Sequence, residues 1–305
     1  MDNFLFFLTS GLCIGAVYAL IALGYTLVYG IIKLINFAHG EFYMIGAYAG
    51  FGIYLVLPSG TSPIVSIPLI IVSSGIAGMI IAVLTEQVAY KPIRKSGRLA
   101  ALLTAIGVSF LLQNLASFIN KANPLQYSAE STGSIGELCQ RSVAIGGSGI
   151  KIIQFIFIPV TIILTLILWH IVMRTKFGRA MRAVSQDPDA AALMGINIDS
   201  VIRRTFLLGG VMAGIAGALI GFQSVIEPMM GFMPGLKAFI AAVVGGIGSI
   251  PGAVLGGFII GIIENMVIWA GIPTGYKDVA AFIVLIIVLL IRPQGILGSN
   301  LREKV

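Results

Sequence analysis

Nine stretches of this chain are almost free of charge, and short polar segments separate them. They run over 4–32, 42–57, 64–89, 99–119, 152–173, 205–222, 236–250, 252–269 and 278–291. A helix needs ~20 mainly apolar residues to cross a bilayer, so this pattern predicts membrane-spanning helices. Several stretches are short or interrupted by Gly and Pro, which gives an expected count of eight or nine crossings. The first is long enough for one tilted helix, or for a short helix followed by a full one. The expected fold is an all-α polytopic bundle, a single domain over residues 1–305.

Composition narrows the function classes. Of the 305 residues 58% are hydrophobic and 10% charged, with a mean hydropathy of +1.02. Soluble domains run nearer 45–50% apolar and about 25% charged, so a soluble enzyme, a disordered chain and a disulfide scaffold are excluded. The 38 glycines favour closely packed helices over a β-barrel. Cys13 and Cys139 form neither a CxxC nor a metal spacing, so no disulfide, metal or cofactor is expected. The start, Met1-Asp2-Asn3-Phe4, lacks the basic region of a cleavable signal peptide.

The net charge of +7 reads as topology rather than as a nucleic-acid surface. Lys33, the loop 91–98, the loop 174–204 and the tail with Arg292, Arg302 and Lys304 hold 14 of the 19 basic residues. Placing these in the cytoplasm puts the N-terminus and the loops 58–63, 120–151, 223–235 and 270–277 outside, with Lys121, Arg141, Lys151, Lys237 and Lys277 as outer cations. The loop 120–151 reads as a surface loop, or as a contact surface for an external partner.

The inner loop 174–204 is far longer than a helix connection needs. Within it, Asp187 to Asn197 predicts a short helix, with Pro188 at the first position and Gly195 as the stop. Ala190, Ala191, Leu193 and Met194 would make an apolar knob in a charged setting that includes Arg179, Arg182, Asp187 and Asp189. Such a knob marks a docking site or a helix lying on the bilayer.

Small residues recur every four positions at Gly46 and Gly50, Gly210 and Gly214, Gly217 and Gly221, and Gly248, Gly252 and Gly256, a pattern of close helix packing. Ile250-Pro251-Gly252 has a second reading, a helix break whose freed backbone groups line a polar cavity. Asn36-Phe37-Ala38-His39-Gly40-Glu41 reads as an interfacial turn, or as a re-entrant element near a translocation path with His39 and Glu41 as a polar gate. Of the acids in apolar runs, Glu86 suggests an interfacial salt bridge with nearby Lys91, and Glu264 either packs against another helix or lines a path. No GxxxxGK[ST] phosphate loop is present, so any ATP hydrolysis belongs to another subunit.

Several runs together carry a family resemblance. Asp189-Ala190-Ala191-x-x-x-Gly195 resembles the EAA---G coupling loop of ABC importer permeases, with Asp in place of Glu. The run 176–183 (KFGRAMRA) resembles a stretch of branched-chain amino-acid permeases, as do 35–46 (INFAHGEFYMIG), 235–239 (GLKAF), 245–252 (GGIGSIPG) and the terminal Glu303-Lys304-Val305. The chain is similar over nearly its whole length to LivH-type permeases of binding-protein-dependent importers. That resemblance implies an inner-membrane transport subunit for leucine, isoleucine and valine, working by alternating access. It also implies a LivM-like second permease, two cytoplasmic ABC ATPases and a periplasmic binding protein. Related importers for urea, amides or other amino acids are the nearest alternative. An ion-coupled transporter would need clustered intramembrane acids, and a membrane enzyme a catalytic constellation; neither pattern is seen.

Overall fold

The computed structural model describes residues 3–58, 60–94, 96–121, 123–127, 134–145 and 148–298. The expected tail cations Arg302 and Lys304, the terminal Glu303–Val305, Asp2, Lys95 and parts of the loop 120–151 lie outside these residues. Among the described residues, nine apolar helices follow the nine stretches: α1 (Phe4–Ile32), α2 (His39–Val56), α3 (Pro63–Thr85), α4 (Arg98–Asn120), α6 (Phe157–Arg174), α9 (Ile198–Gly221), α10 (Phe232–Gly245), α11 (Ile250–Trp269) and α12 (Lys277–Ile291). Among the described residues, seven helical segments are long and apolar enough to cross a membrane. The first stretch is one unbroken helix of 29 residues. α10, with 14 residues, is only about 21 Å long and too short to cross.

The smaller elements sit at the two ends of the bundle. α5 (Ser134–Gln140) and a hairpin of β1 (Ser142–Ile145) and β2 (Ser148–Lys151) lie at one, and α7 (Lys176–Gln186) and α8 (Pro188–Leu193) at the other. The second, which also carries Lys91, Arg94, Arg174, Arg203 and Arg292, is called the basic end below. The described part of 120–151 is more built than a surface loop. Tyr127 is buried with its ring 4.7 Å from Tyr54, 5.1 Å from Phe222 and 5.3 Å from Phe51. Leu125 and Ile226 exchange backbone hydrogen bonds of 2.8 and 3.0 Å. Burial pushes the Cys139 thiol up to about 11, so it stays protonated at neutral pH.

Glycines set the helix spacing, as their recurrence suggested. A Cβ at Gly46 or Gly78 would collide with the Gly214 backbone, one at Gly210 with Gly78, and one at Gly217 with the Tyr43 carbonyl. Gly257 and Gly261 bring α11 equally close to Ala19 and Gly15 of α1, and Gly256 brings it onto Ala241 of α10. Gly221 departs from the pattern: its neighbours are the side chains of Ile226 and Tyr127, so it serves the far-end cap rather than a helix pair. Gly217→Val is expected to cost about 1–3 kcal/mol by overpacking, seen as a lower Tm of the detergent-solubilised protein.

The break near Pro251 falls earlier than the sequence suggested. α10 stops at Gly245, and Gly246 and Gly248 turn the chain with φ of +107° and +95°. Ser249 then caps α11 by accepting from the Gly252 N–H at 3.2 Å, with Pro251 in the first turn, where a missing N–H costs nothing. The freed carbonyls do not line a cavity. Those of Val244 and Gly245 accept from the N–H groups of Ile296 and Leu297, each at 2.9 Å, as the chain leaves α12. Gly248 lies in the turn and not on a helix face, whereas Gly252 packs against Gly245.

Candidate translocation site and docking surface

α2 does not start at the membrane surface. After α1 ends, residues 33–38 turn back into the bundle, and His39 at the head of α2 lies against Gly24 of α1 and Gly209, halfway along the 24-residue α9. Asn36 holds this return: its Oδ1 accepts from the Ala38 N–H at 3.0 Å and from the Tyr90 hydroxyl at 2.7 Å. The re-entrant reading of 36–41 therefore describes the backbone better than an interfacial turn.

α10 starts at the same depth. Gly231 and Gly235 meet Gly40 so closely that a Cβ at Gly40 or Gly231 would strike the opposing backbone. Two helix N-termini, each with unpaired N–H groups and a partial positive charge, thus meet in the middle of the bundle. Glu41 sits between them, fully buried. Its Oε1 accepts from Ser109 and from Gln113, both at 2.8 Å and both on α4, with Ser109 at the midpoint of that 23-residue helix. His39 turns elsewhere, its ring 4.7 Å from Tyr25 and 5.4 Å from Phe42. The His39–Glu41 gate is not formed in this geometry, and Gly248, Pro251 and Gly252 lie at the basic end, away from it.

Glu264 belongs to a second buried group that joins four helices. Lys237 of α10 pairs with Glu264 of α11 at 2.8 Å and with Asp278 of α12 at 2.6 Å. The Tyr18 hydroxyl of α1 donates to Glu264 at 3.0 Å. Lys237, an outer cation by the charge pattern of the sequence, is buried at 4% exposure. Its place inside an apolar stretch, a span from a second buried acid, was the signal in the sequence.

At the basic end, Glu86 pairs with Arg94 at 2.5 Å rather than with Lys91. Arg94 also reaches Asp199 at 2.7 Å, and Lys91 reaches the same carboxylate at 3.0 Å, tying the end of α3 to the start of α9. Glu86–Tyr90 is a π-helical turn, a feature common at functional sites and not legible from periodicity. Glu86, Gln87, Lys91, Asp199 and Arg203 line a cavity of about 300 Å³.

The 174–204 segment folds as a series of capped helices. Thr175 accepts from Gly178 N–H, Asp187 from Asp189 and Ala190 N–H at 2.9 and 3.0 Å, and Asn197 from Ser200 N–H at 2.9 Å. α8 ends in a Schellman stop: Gly195 has φ +80°, its N–H bonds Ala192, and Ile196 N–H bonds Ala191. Leu193 and Met194 are 90% and 83% exposed, and Ala190 and Arg179 are also exposed. Ala191 corrects the expected knob: at 3% exposure it faces inward with Met181 and Val184 and anchors α8. Arg182 is exposed, and its guanidinium donates to the Val172 carbonyl near the end of α6.

This architecture, an apolar bundle with two helices that begin at mid-depth and an exposed apolar knob at one end, defines a membrane permease. The family model described as "Branched-chain amino acid transport system / permease component" matches residues 7–289. The chain belongs to this family. It is 44% identical to the high-affinity branched-chain amino acid transport system permease protein LivH of Salmonella typhimurium, covering 100% of this chain and 99% of that protein. Identity is 43% to permease protein BraD of Pseudomonas aeruginosa, covering 98% and 97%. Among solved structures, a metal-chelate type ABC transporter in an inward-facing conformation shares the fold, with a TM-score of 0.50 at 16% identity over 94% of this chain and 86% of that one.

Proposed function

We propose that this chain is one transmembrane subunit of an ATP-driven importer that carries leucine, isoleucine and valine across the inner membrane by alternating access. The observation that carries the reading is the meeting of α2 and α10 at mid-depth around Glu41. Discontinuous helices in transporters place substrate groups at such ends, and mostly apolar walls suit an aliphatic side chain. A LivM-like second permease, two ABC ATPases and a periplasmic binding protein complete the assembly in this reading, as the full-length likeness to LivH and BraD supports. The basic end faces the cytoplasm, with the C-terminus inside and the N-terminus outside, following the excess of Lys and Arg. The exposed Leu193 and Met194 dock an ATPase.

The test is uptake by proteoliposomes holding the purified permease pair, ATPases and binding protein. Labelled leucine is expected to accumulate with ATP. Accumulation of labelled urea in place of leucine would move the chain to an amide importer.

A further inference from the structure

Glu41 has one oxygen in use and one free. Ser109 and Gln113 take Oε1, while Oε2 has no hydrogen-bond partner among the described residues and lies against Gly231 at the start of α10. A carboxylate out of water is costly unless charge or hydrogen bonds satisfy both oxygens. The two helix N-termini offset part of that cost, but no side-chain cation pairs with Glu41 among the described residues. The contrast with Glu264 and Glu86 is informative, because each of those buried acids has its own Lys or Arg.

Given the importer reading above, on which this step rests, we infer that the free Oε2 of Glu41 receives the α-ammonium group of the amino acid as it passes mid-depth. Ser109 and Gln113 hold the other oxygen and so fix the direction of the carboxylate. The ammonium supplies the missing counter-charge, with a charge-assisted hydrogen bond in the low-dielectric interior. The contacts of Gly40 with Gly231 and Gly235 close this point. Opening falls to α4, which meets the bundle along one stripe, Ala101, Ala105, Ser109, Leu112, Gln113 and Ala116, and exposes its other face.

The reconstituted complex tests this with Glu41→Gln, which keeps shape and an acceptor for Ser109 but removes the charge. Leucine uptake is expected to fall by about tenfold or more, the factor carried by a lost charge-assisted hydrogen bond. ATP hydrolysis stimulated by the binding protein is expected to persist, and Glu41→Asp to recover part of the uptake. Uptake by Glu41→Gln within twofold of the original overturns the inference. If Glu41→Gln does not assemble, the unaltered complex decides. Isoamylamine, added on the face opposite the binding protein, is expected to inhibit uptake, whereas 4-methylpentanoate is not; the reverse order overturns the inference. An unaltered complex that moves no leucine defeats the importer reading itself, a separate outcome.

Discussion

Replacing Leu193 by Asp is expected to abolish ATP-driven uptake, by at least tenfold, while the permease still folds and inserts. Among the described residues, Leu193 and Met194 are the most exposed large apolar side chains near the basic end, held forward by a helix capped at both ends. The side chain at 193 makes little contact within its own chain, so the substitution costs the isolated fold less than ~0.5 kcal/mol. A carboxylate in an apolar socket of a partner costs far more, because it is desolvated without a counter-charge. The permease is therefore expected to reach the membrane in normal amount, and pull-down of the ATPase to fail. Ala191→Asp is a different experiment: it buries a charge behind α8 and is expected to unfold the segment. Normal uptake by Leu193→Asp would remove α8 from the docking surface.

The second large effect is expected at Lys237. Lys237→Met leaves the buried Glu264 and the half-buried Asp278 without their cation, a loss of about 3–5 kcal/mol for breaking the buried Lys237–Glu264 pair. The measurement is the Tm and yield of the solubilised protein. Adding Glu264→Gln and Asp278→Asn to Lys237→Met is expected to restore most of that stability, because no buried charge then remains unpaired. If the triple variant is stable and transports, the cluster fastens α1, α10, α11 and α12 together. If it is stable but inactive, Glu264 has a part in transport as well.

The sequence made some features legible and hid others, for physical reasons. Apolar runs locate helices because the bilayer demands them, and spaced glycines locate close pairs because a Cβ would collide. The caps at Asp187 and Ser249 and the stop at Gly195 are local, so they too can be read along the chain. The partners of Glu41 cannot, since Ser109 and Gln113 lie on another helix and are unremarkable in their own stretch. The burial of Lys237 is hidden because a cation near the end of an apolar run looks interfacial in sequence. The end of α10 is hidden too, because residues about fifty positions downstream satisfy its carbonyls. The inward turn of Ala191 is not legible because a helix of six residues shows no clear period.

In the importer proposed above, coupling to ATP hydrolysis by docked partners, and not to an ion gradient, drives substrate through this chain. It is tested most directly by following leucine accumulation and ATP hydrolysis together in proteoliposomes whose ion gradients have been collapsed with ionophores. Leucine accumulation that continues, scales with ATP hydrolysis and stops with Leu193→Asp is the predicted result. Accumulation that ceases with the ionophores while hydrolysis continues would contradict it.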